Sequence, residues 1–131
     1  MKITRFEDLK AWQRSRELFK MVHEVLSRAP FCKNLILKNQ MMRASLSIMS
    51  NISEGFDRGG DKEFIQFLYI SKGSCSELKS QLFAARDTGY LEQVEFQAIF
   101  DLAEETSRIL QGLISAMKKN SNKGRKFFSA N

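Results

Sequence analysis

Proline, cysteine and histidine are almost missing from this chain of 131 residues. It contains one proline, two cysteines, Cys32 and Cys75, and one histidine, His23. Two cysteines cannot form a disulfide framework, and with one histidine they match no spaced zinc signature. A single proline is untypical of folds made of many short strands and turns. We therefore expect an all-α protein that has no metal site and no bound cofactor.

Long apolar runs are also missing. No stretch approaches the roughly 18 to 20 uncharged apolar residues that a membrane-spanning helix needs. The first eight residues contain two acids, Glu7 and Asp8, and no apolar core of signal-peptide length. With 43% hydrophobic and 27% charged residues, the composition is that of an ordinary globular domain. We expect one cytoplasmic domain that has no membrane partner.

The sequence does contain apolar residues with the helical period, in four stretches. These run from Trp12 to Leu26, from Leu37 to Ile52, from Phe64 to Ala85 and from Phe96 to Met117. Three short loops, at residues 30–34, 57–61 and 88–92, separate them, so neighbouring helices should be antiparallel. The pattern predicts an antiparallel up-down-up-down four-helix bundle over residues 1–119.

Residues 120–131 lack the helical period and are polar and basic. We expect a flexible basic tail there, or an arm that docks through Phe127 and Phe128. Within the bundle, the third and fourth stretches carry more apolar residues than one buried stripe requires, which favours a homo-oligomer.

The net charge of +6 is unevenly distributed. Between Val25 and Ser53 there is no acid, whereas Arg28, Lys33, Lys38 and Arg43 all occur. A basic surface on such a protein is typical of nucleic-acid binding, because each neutralised phosphate releases condensed counterions. We predict one basic surface that contacts phosphates of RNA or DNA. Its predicted members are Arg5, Lys10, Arg14, Arg16, Lys33, Lys38 and Arg43.

An alternative explanation of the same charges is self-complementary packing. Residues 87–107 contain six acids and no Lys or Arg, which mirrors the acid-free window. The basic and acidic helices could pair inside the bundle or between subunits, in a purely structural protein-interaction bundle. Along the first helix, spacings of four residues also predict local pairs of Lys20 with Glu24 and of Glu24 with Arg28.

The sequence contains no set of residues that is typical of a catalytic site. His23 has the position of an ordinary surface histidine, and Cys75 lies on the apolar stripe of the third helix and behaves as a small apolar residue. The segment 55–60 lacks the lysine and hydroxyl of a phosphate-binding loop. We expect a protein that is not an enzyme.

The segments in and around the predicted second and third helices carry a pattern that is specific enough to compare with a known family. The segments QMMRASLSIMSNISEG at 40–55, KEFIQFL at 62–68 and GSCSEL at 73–78, with FEDLKAWQ at 6–13 and GYL at 89–91, form one pattern. Over residues 6–117 the chain resembles a bacterial family of four-helix bundles, first noticed as reading frames in intervening sequences of large-subunit ribosomal RNA genes. Ser53 departs from the pattern, since the family usually has alanine there.

The resemblance implies a ring-like homopentamer without enzymatic activity. A related branch, the accessory variability determinant of diversity-generating retroelements, is similar in fold and binds nucleic acid and a reverse transcriptase through a basic surface. The function that we expect is an oligomeric nucleic-acid-binding scaffold, an accessory to a reverse transcriptase or to other RNA-handling machinery.

Five polar or small residues are predicted to have architectural roles. Asn51 and Glu54 are three residues apart, and we expect them to satisfy free carbonyls near the end of the second helix, which Gly55 ends in a left-handed conformation. Glu77 is expected to accept a hydrogen bond from Asn51 or Arg43 in a buried polar network. Asp61 is expected to cap the N-terminus of the third helix.

Overall fold

The computed structural model describes the backbone of residues 3–122 and the side chains of residues 3–120. Within that range the chain is helical and contains no strand. The α-helices are α1 (Lys10–Leu26), α2 (Leu35–Asp57), α3 (Asp61–Asp87) and α4 (Gln93–Asn122), and two 3-10 helices span Phe6–Asp8 and Ala29–Lys33. Both α1 and α3 pack against α2 and α4, so the helices form a square of antiparallel neighbours. This confirms the all-α, four-helix fold.

The end of α4 lies beyond the predicted boundary of the bundle. The helix continues to Asn122, so residues 120–122 of the predicted tail are helical. The remainder of that tail, including Phe127 and Phe128, lies outside the described residues.

The helix N-termini use different caps. At the start of α2, the Asn34 side chain accepts a hydrogen bond from the backbone N–H of Leu37 at 3.1 Å, which satisfies one of the free donors of the first turn. The prediction for α3 is wrong by one position, because Gly60 is the N-cap and Asp61 is the first helical residue. There the Asp61 carboxylate still lies near the positive end of the helix dipole.

The predicted stop of α3 at Gly89 is confirmed. Gly89 has a φ of +86°, the left-handed conformation that glycine adopts without a steric penalty. Its N–H bonds to the carbonyl of Arg86 at 3.0 Å, and the N–H of Tyr90 bonds to the carbonyl of Ala85 at 2.9 Å. These two hydrogen bonds form a Schellman motif, which satisfies the last carbonyls of the helix.

The predicted role of Gly55 is wrong, although the position does require glycine. Gly55 is buried inside α2 and is not in the left-handed region; Gly59, with a φ of +83°, takes that conformation after the helix has ended. A Cβ on Gly55 would lie 2.5 Å from Cβ of Phe67 and 3.1 Å from the ring of Phe64. Gly55 therefore allows the close approach of α2 and α3.

The predicted network around Glu77 is also wrong. Glu77 is exposed and makes no hydrogen bond with the described residues. The polar contacts between α2 and α3 are made by serines instead: the Ser71 hydroxyl donates to the carbonyl of Ile48 at 2.9 Å, and the hydroxyls of Ser74 and Ser47 lie 3.0 Å apart. Ser71 and Ser74 occupy buried positions of α3, whereas Glu77 lies outside the buried stripe.

Asn51 and Glu54 make local contacts, different from those predicted. The Asn51 amide donates to the carbonyl and the hydroxyl of Ser47, both at 2.9 Å, within the body of α2. Glu54 pairs with Arg58 at 2.9 Å on the surface. Neither side chain satisfies a free carbonyl at the helix end.

The core follows the predicted apolar stripes closely. Every predicted stripe position of α3 is buried: Phe64, Leu68, Ser71, Cys75, Leu78, Leu82 and Ala85. Burial raises the pKa of the Cys75 thiol to about 12, so the thiol stays protonated at neutral pH. Toward the end of α4 the stripe differs from the prediction, because Ile114 is fully buried and Leu113 is only partly buried.

Candidate nucleic-acid interface

The cations on one side of α1 pair with carboxylates of α4. Arg14 donates hydrogen bonds to Glu105 on α4 and to Glu17, both at 3.0 Å. The hydrogen bond to Glu105 is the main reason that the pKa of Arg14 is raised. These contacts neutralise Arg14 within the subunit.

A second pair joins α4 to Arg28, which lies just after the C-terminal end of α1. Arg28 binds the carboxylate of Glu95 with two guanidinium nitrogens, one of them at 3.0 Å. The hydrogen bond from Arg28 lowers the pKa of Glu95. The predicted local pairs of Glu24 with Lys20 and Arg28 are not among the salt bridges of residues 3–120, since Arg28 reaches across to α4 instead.

The acidic segment therefore pairs with α1 and α3, and not with α2. Besides these two pairs, Glu104 of α4 bonds to Lys79 of α3 at 3.1 Å. Helices α2 and α4 occupy opposite corners of the square, and no salt bridge joins them among the described side chains. The predicted pairing of the acid-free window with the acidic segment is confirmed for Arg28, which bonds to Glu95, and is wrong for the cations of α2 for this geometric reason.

The seven predicted cations do not form one surface. Arg14 and Arg16 are two residues apart, which separates them by about 200° around the helix. Arg14 contacts α4, and the guanidinium of Arg16 lies 5.6 Å from the centre of the Trp12 ring. Arg5 pairs with Glu7 at 2.8 Å near the start of α1, whereas Lys33 follows the other end of that helix, about 25 Å away along 17 residues.

Arg43 lies on yet another part of the surface. It lines a groove of about 350 Å³ between α2 and α3, together with Gln40, Ser47, Ser74 and Glu77. Lys38 is half a turn around α2 from Gln40 and Ser47, on the side of α1. The cations of α2 are thus divided between its two neighbours.

Three of the seven predicted cations, together with Lys20, form a set that we call the α1–α2 basic face. It consists of Arg16 and Lys20 on α1, Lys33 in the connecting 3-10 helix and Lys38 on α2. None of these four makes a salt bridge with the described side chains, and neither does Lys10 at the start of α1. The face therefore presents positive charge that the subunit itself does not neutralise.

An open depression of about 550 Å³ adjoins this face. It is lined by Phe19, Lys20, His23, Glu24 and Ser27. The rings of Phe19 and His23 are stacked, with centroids 6.1 Å apart and an angle of 30° between their planes. The sequence predicts an ordinary surface histidine at position 23 and does not predict this pair. The spacing of four residues is the signal that places the two rings on one helix face.

The structure offers no sign of a metal centre or membrane span within the residues it describes. No group of three or more His, Cys, Asp or Glu side chains in that range is close enough to share a metal ion. None of the described helices combines the length and apolar composition of a membrane-crossing segment.

Comparison with known proteins places the fold in a family. No curated protein matches the chain. A crystal structure of a protein with unknown function from the S23 ribosomal protein family of Bacteroides thetaiotaomicron superposes with a TM-score of 0.72 at 21% identity, over 79% of this chain and 97% of that one. At this identity the likeness concerns the fold alone. The family model for the 23S rRNA-intervening sequence protein matches residues 7–112, and the chain therefore belongs to that family.

Proposed function

We propose that this chain is a non-enzymatic, oligomeric protein of the cytoplasm that binds nucleic acid through the α1–α2 basic face. The observation that carries the proposal is the uneven use of cations around α1. On the side of α4, Arg14 and Arg28 are matched by carboxylates. On the side of α2, Arg16 and Lys20 lack such partners among the described residues, as do Lys33 and Lys38.

Cations of this kind suit a phosphate backbone better than a single small anion. They are spread over two helices and a connection, and none is buried with a polar partner that would fix its position. Lysine and arginine contacts to phosphates position a nucleic acid without reading its sequence. Affinity should then depend steeply on salt and weakly on sequence.

Self-association is the second part of the proposal. Several large apolar side chains of α2 and α3 are well exposed in the subunit, among them Ile36 at 79%, Leu46 at 46% and Ile70 at 50%. Burial of these side chains against a second copy of the chain would remove their apolar surface from water. The family resemblance suggests five copies, and an oligomer would repeat the basic face once in each subunit.

The alternative function, a bundle that only pairs with copies of itself through opposite charges, has one observation in its favour. Arg43 and Glu77 line the same groove, and neither has a salt-bridge partner among the described residues. Against it, the pairs of Glu95, Glu104 and Glu105 within the subunit leave few carboxylates of α4 free for a second copy. We therefore prefer the nucleic-acid function.

A matched pair of charge reversals tests the proposal. The double variant Arg16→Glu/Lys38→Glu changes the face, and Lys62→Glu/Lys119→Glu makes the same change of charge at exposed cations of α3 and α4. Fluorescence anisotropy with labelled RNA and DNA duplexes, at several salt concentrations, measures the affinity. We expect a loss of about tenfold or more for the first variant and a much smaller loss for the second.

Light scattering coupled to size exclusion gives the mass of each variant in the same experiment. We expect the wild-type protein to have about five times the mass of one chain. Equal losses of affinity in both variants would show that only the net charge matters. Dissociation of the Arg16→Glu/Lys38→Glu variant to monomers with unchanged binding would favour the alternative function instead.

The proposed scaffold has a candidate partner in an RNA-handling enzyme. The resemblance to the accessory variability determinant suggests a reverse transcriptase. Co-purification of the oligomer with a reverse transcriptase encoded beside its gene would support this part of the proposal. A neighbouring ribosomal RNA operon without such an enzyme would count against it.

A further inference from the structure

From the depression on α1 we infer that the protein seats an unpaired base of single-stranded nucleic acid on the Phe19–His23 pair. This inference rests on the proposed function and names its ligand class more closely. The basic face accounts for phosphates, which duplexes and single strands share. The stacked ring pair beside it presents flat aromatic faces, which suit a base better than a phosphate.

The position of the two rings supports a stacking site. Phe19 and His23 lie five and nine residues after Arg14, which places both about half a turn away from the α4 contact. His23 is exposed and Phe19 is partly exposed. The flat face of an aromatic ring attracts a base regardless of its identity, and this is how proteins bind single strands without strict sequence preference.

The charges around the depression orient the strand. Lys20 belongs both to the lining and to the α1–α2 basic face, so a phosphate bonded to it has its base within reach of the rings. Glu24, the carboxylate of the lining, also borders a groove toward Glu95 and Val94 of α4. Its negative charge disfavours phosphates on the α4 side and favours them on the side of α2.

The size and openness of the depression are consistent with a base. Its volume is about 550 Å³, and it is open to solvent. The hydroxyl of Ser27 donates to the carbonyl of His23 at 2.8 Å, and its oxygen can still accept a hydrogen bond from the edge of a base. A duplex, whose bases are stacked on each other, cannot use the site without unpairing.

The test compares a single strand with a duplex of equal length. The substitutions are Phe19→Leu and His23→Ala, made separately and together, and Phe83→Leu is the matched control because Phe83 is a partly exposed ring on α3. The probe is an oligonucleotide with one 2-aminopurine, whose fluorescence falls on stacking. A thermal melt of each variant monitors folding.

We expect quenching of 2-aminopurine by the wild-type protein and by the Phe83→Leu variant. The double variant should not quench the fluorescence. Its affinity for the single strand should be about tenfold lower, because the loss of one stacked base costs roughly that factor. Its affinity for the duplex should change less. Equal affinities of wild type and double variant for the single strand, with quenching retained, would overturn the inference while the proposed function stands.

Two other outcomes also decide the question. A double variant that falls to a smaller mass would show that a second copy of the chain covers the depression, and would overturn the inference. Failure of the wild-type protein to bind either nucleic acid at low salt would overturn the proposed function and this inference together.

Discussion

The two sides of α1 carry similar numbers of cations but use them differently. Toward α4, Arg14 and Arg28 are held by carboxylates at about the distance of ordinary charged hydrogen bonds. Toward α2, Arg16 is over an indole ring, and Lys20 has no carboxylate partner among the described residues. The comparison shows that a count of charges along a helix overstates its basic surface, because the helical period separates cations that stabilise the bundle from cations that remain available.

Both sides of α1 depend on the packing of the same bundle. We therefore expect the largest loss of stability at the close contact between α2 and α3. Gly55→Val should destabilise the protein by about 3 kcal/mol, because even a Cβ would lie 2.5 Å from Cβ of Phe67. Chemical denaturation measures the loss. The control is Gly73→Ala on α3, where a Cβ meets nothing within 4 Å.

Gly73→Ala should stabilise the protein by about 0.5 to 1 kcal/mol, the difference in helix propensity between the two residues. If Gly55→Val were as well tolerated as this control, the close contact of α2 with α3 would be unimportant, and the fixed positions of the two sides of α1 would be in doubt.

The next prediction separates the two sides of α1 by stability. Arg28→Gln removes a half-exposed pair with Glu95 and should cost about 0.5 to 1 kcal/mol. Lys20→Gln removes the same charge from an exposed position of α1 that has no carboxylate partner among the described residues, and should leave the free energy of unfolding unchanged. Equal costs in urea denaturation would contradict the division of α1 into a structural and an available side.

The smallest expected effect is a change in the pH dependence of stability. Since Arg28 lowers the pKa of Glu95 in the folded state, the pair contributes stability that is fully present above the ordinary carboxyl value of 4.5. That contribution is lost as the pH falls through the lowered pKa. The stability gap between wild type and Glu95→Gln should therefore be largest at neutral pH and narrow in acid. A gap that stays constant down to low pH would show that Glu95 acts through packing alone.

The sequence predicted those features that depend on one helix at a time. The buried stripe of α3 and the stop at Gly89 follow from local spacing and backbone conformation, and both are confirmed. The separation of Arg14 from Arg16 was predictable in the same way, from 100° per residue, yet linear proximity suggested one patch.

Features that depend on two helices could not be predicted. The spacing of residues along α1 carries no information on which acid of α4 faces Arg28, because that depends on the relative height of the helices. The sequence indicates that position 55 requires glycine, but the reason is the close contact with Phe67 on α3, which only the structure reveals. The polar contacts between α2 and α3 are made by Ser71 and Ser74 and not by Glu77, and only the positions of Ile48 and Ser47 on α2 reveal them.

The most direct test compares the salt dependence of binding for two variants that lose the same charge. Arg16→Gln/Lys38→Gln removes two cations from the α1–α2 basic face, and Arg14→Gln/Arg28→Gln removes two from the side of α4. For a labelled DNA duplex, the slope of log affinity against log salt should become shallower by about 0.9 for each lost phosphate contact in the first variant. The second variant should keep the wild-type slope. The opposite ranking, or equal slopes in the two variants, would contradict the assignment of nucleic-acid binding to this face.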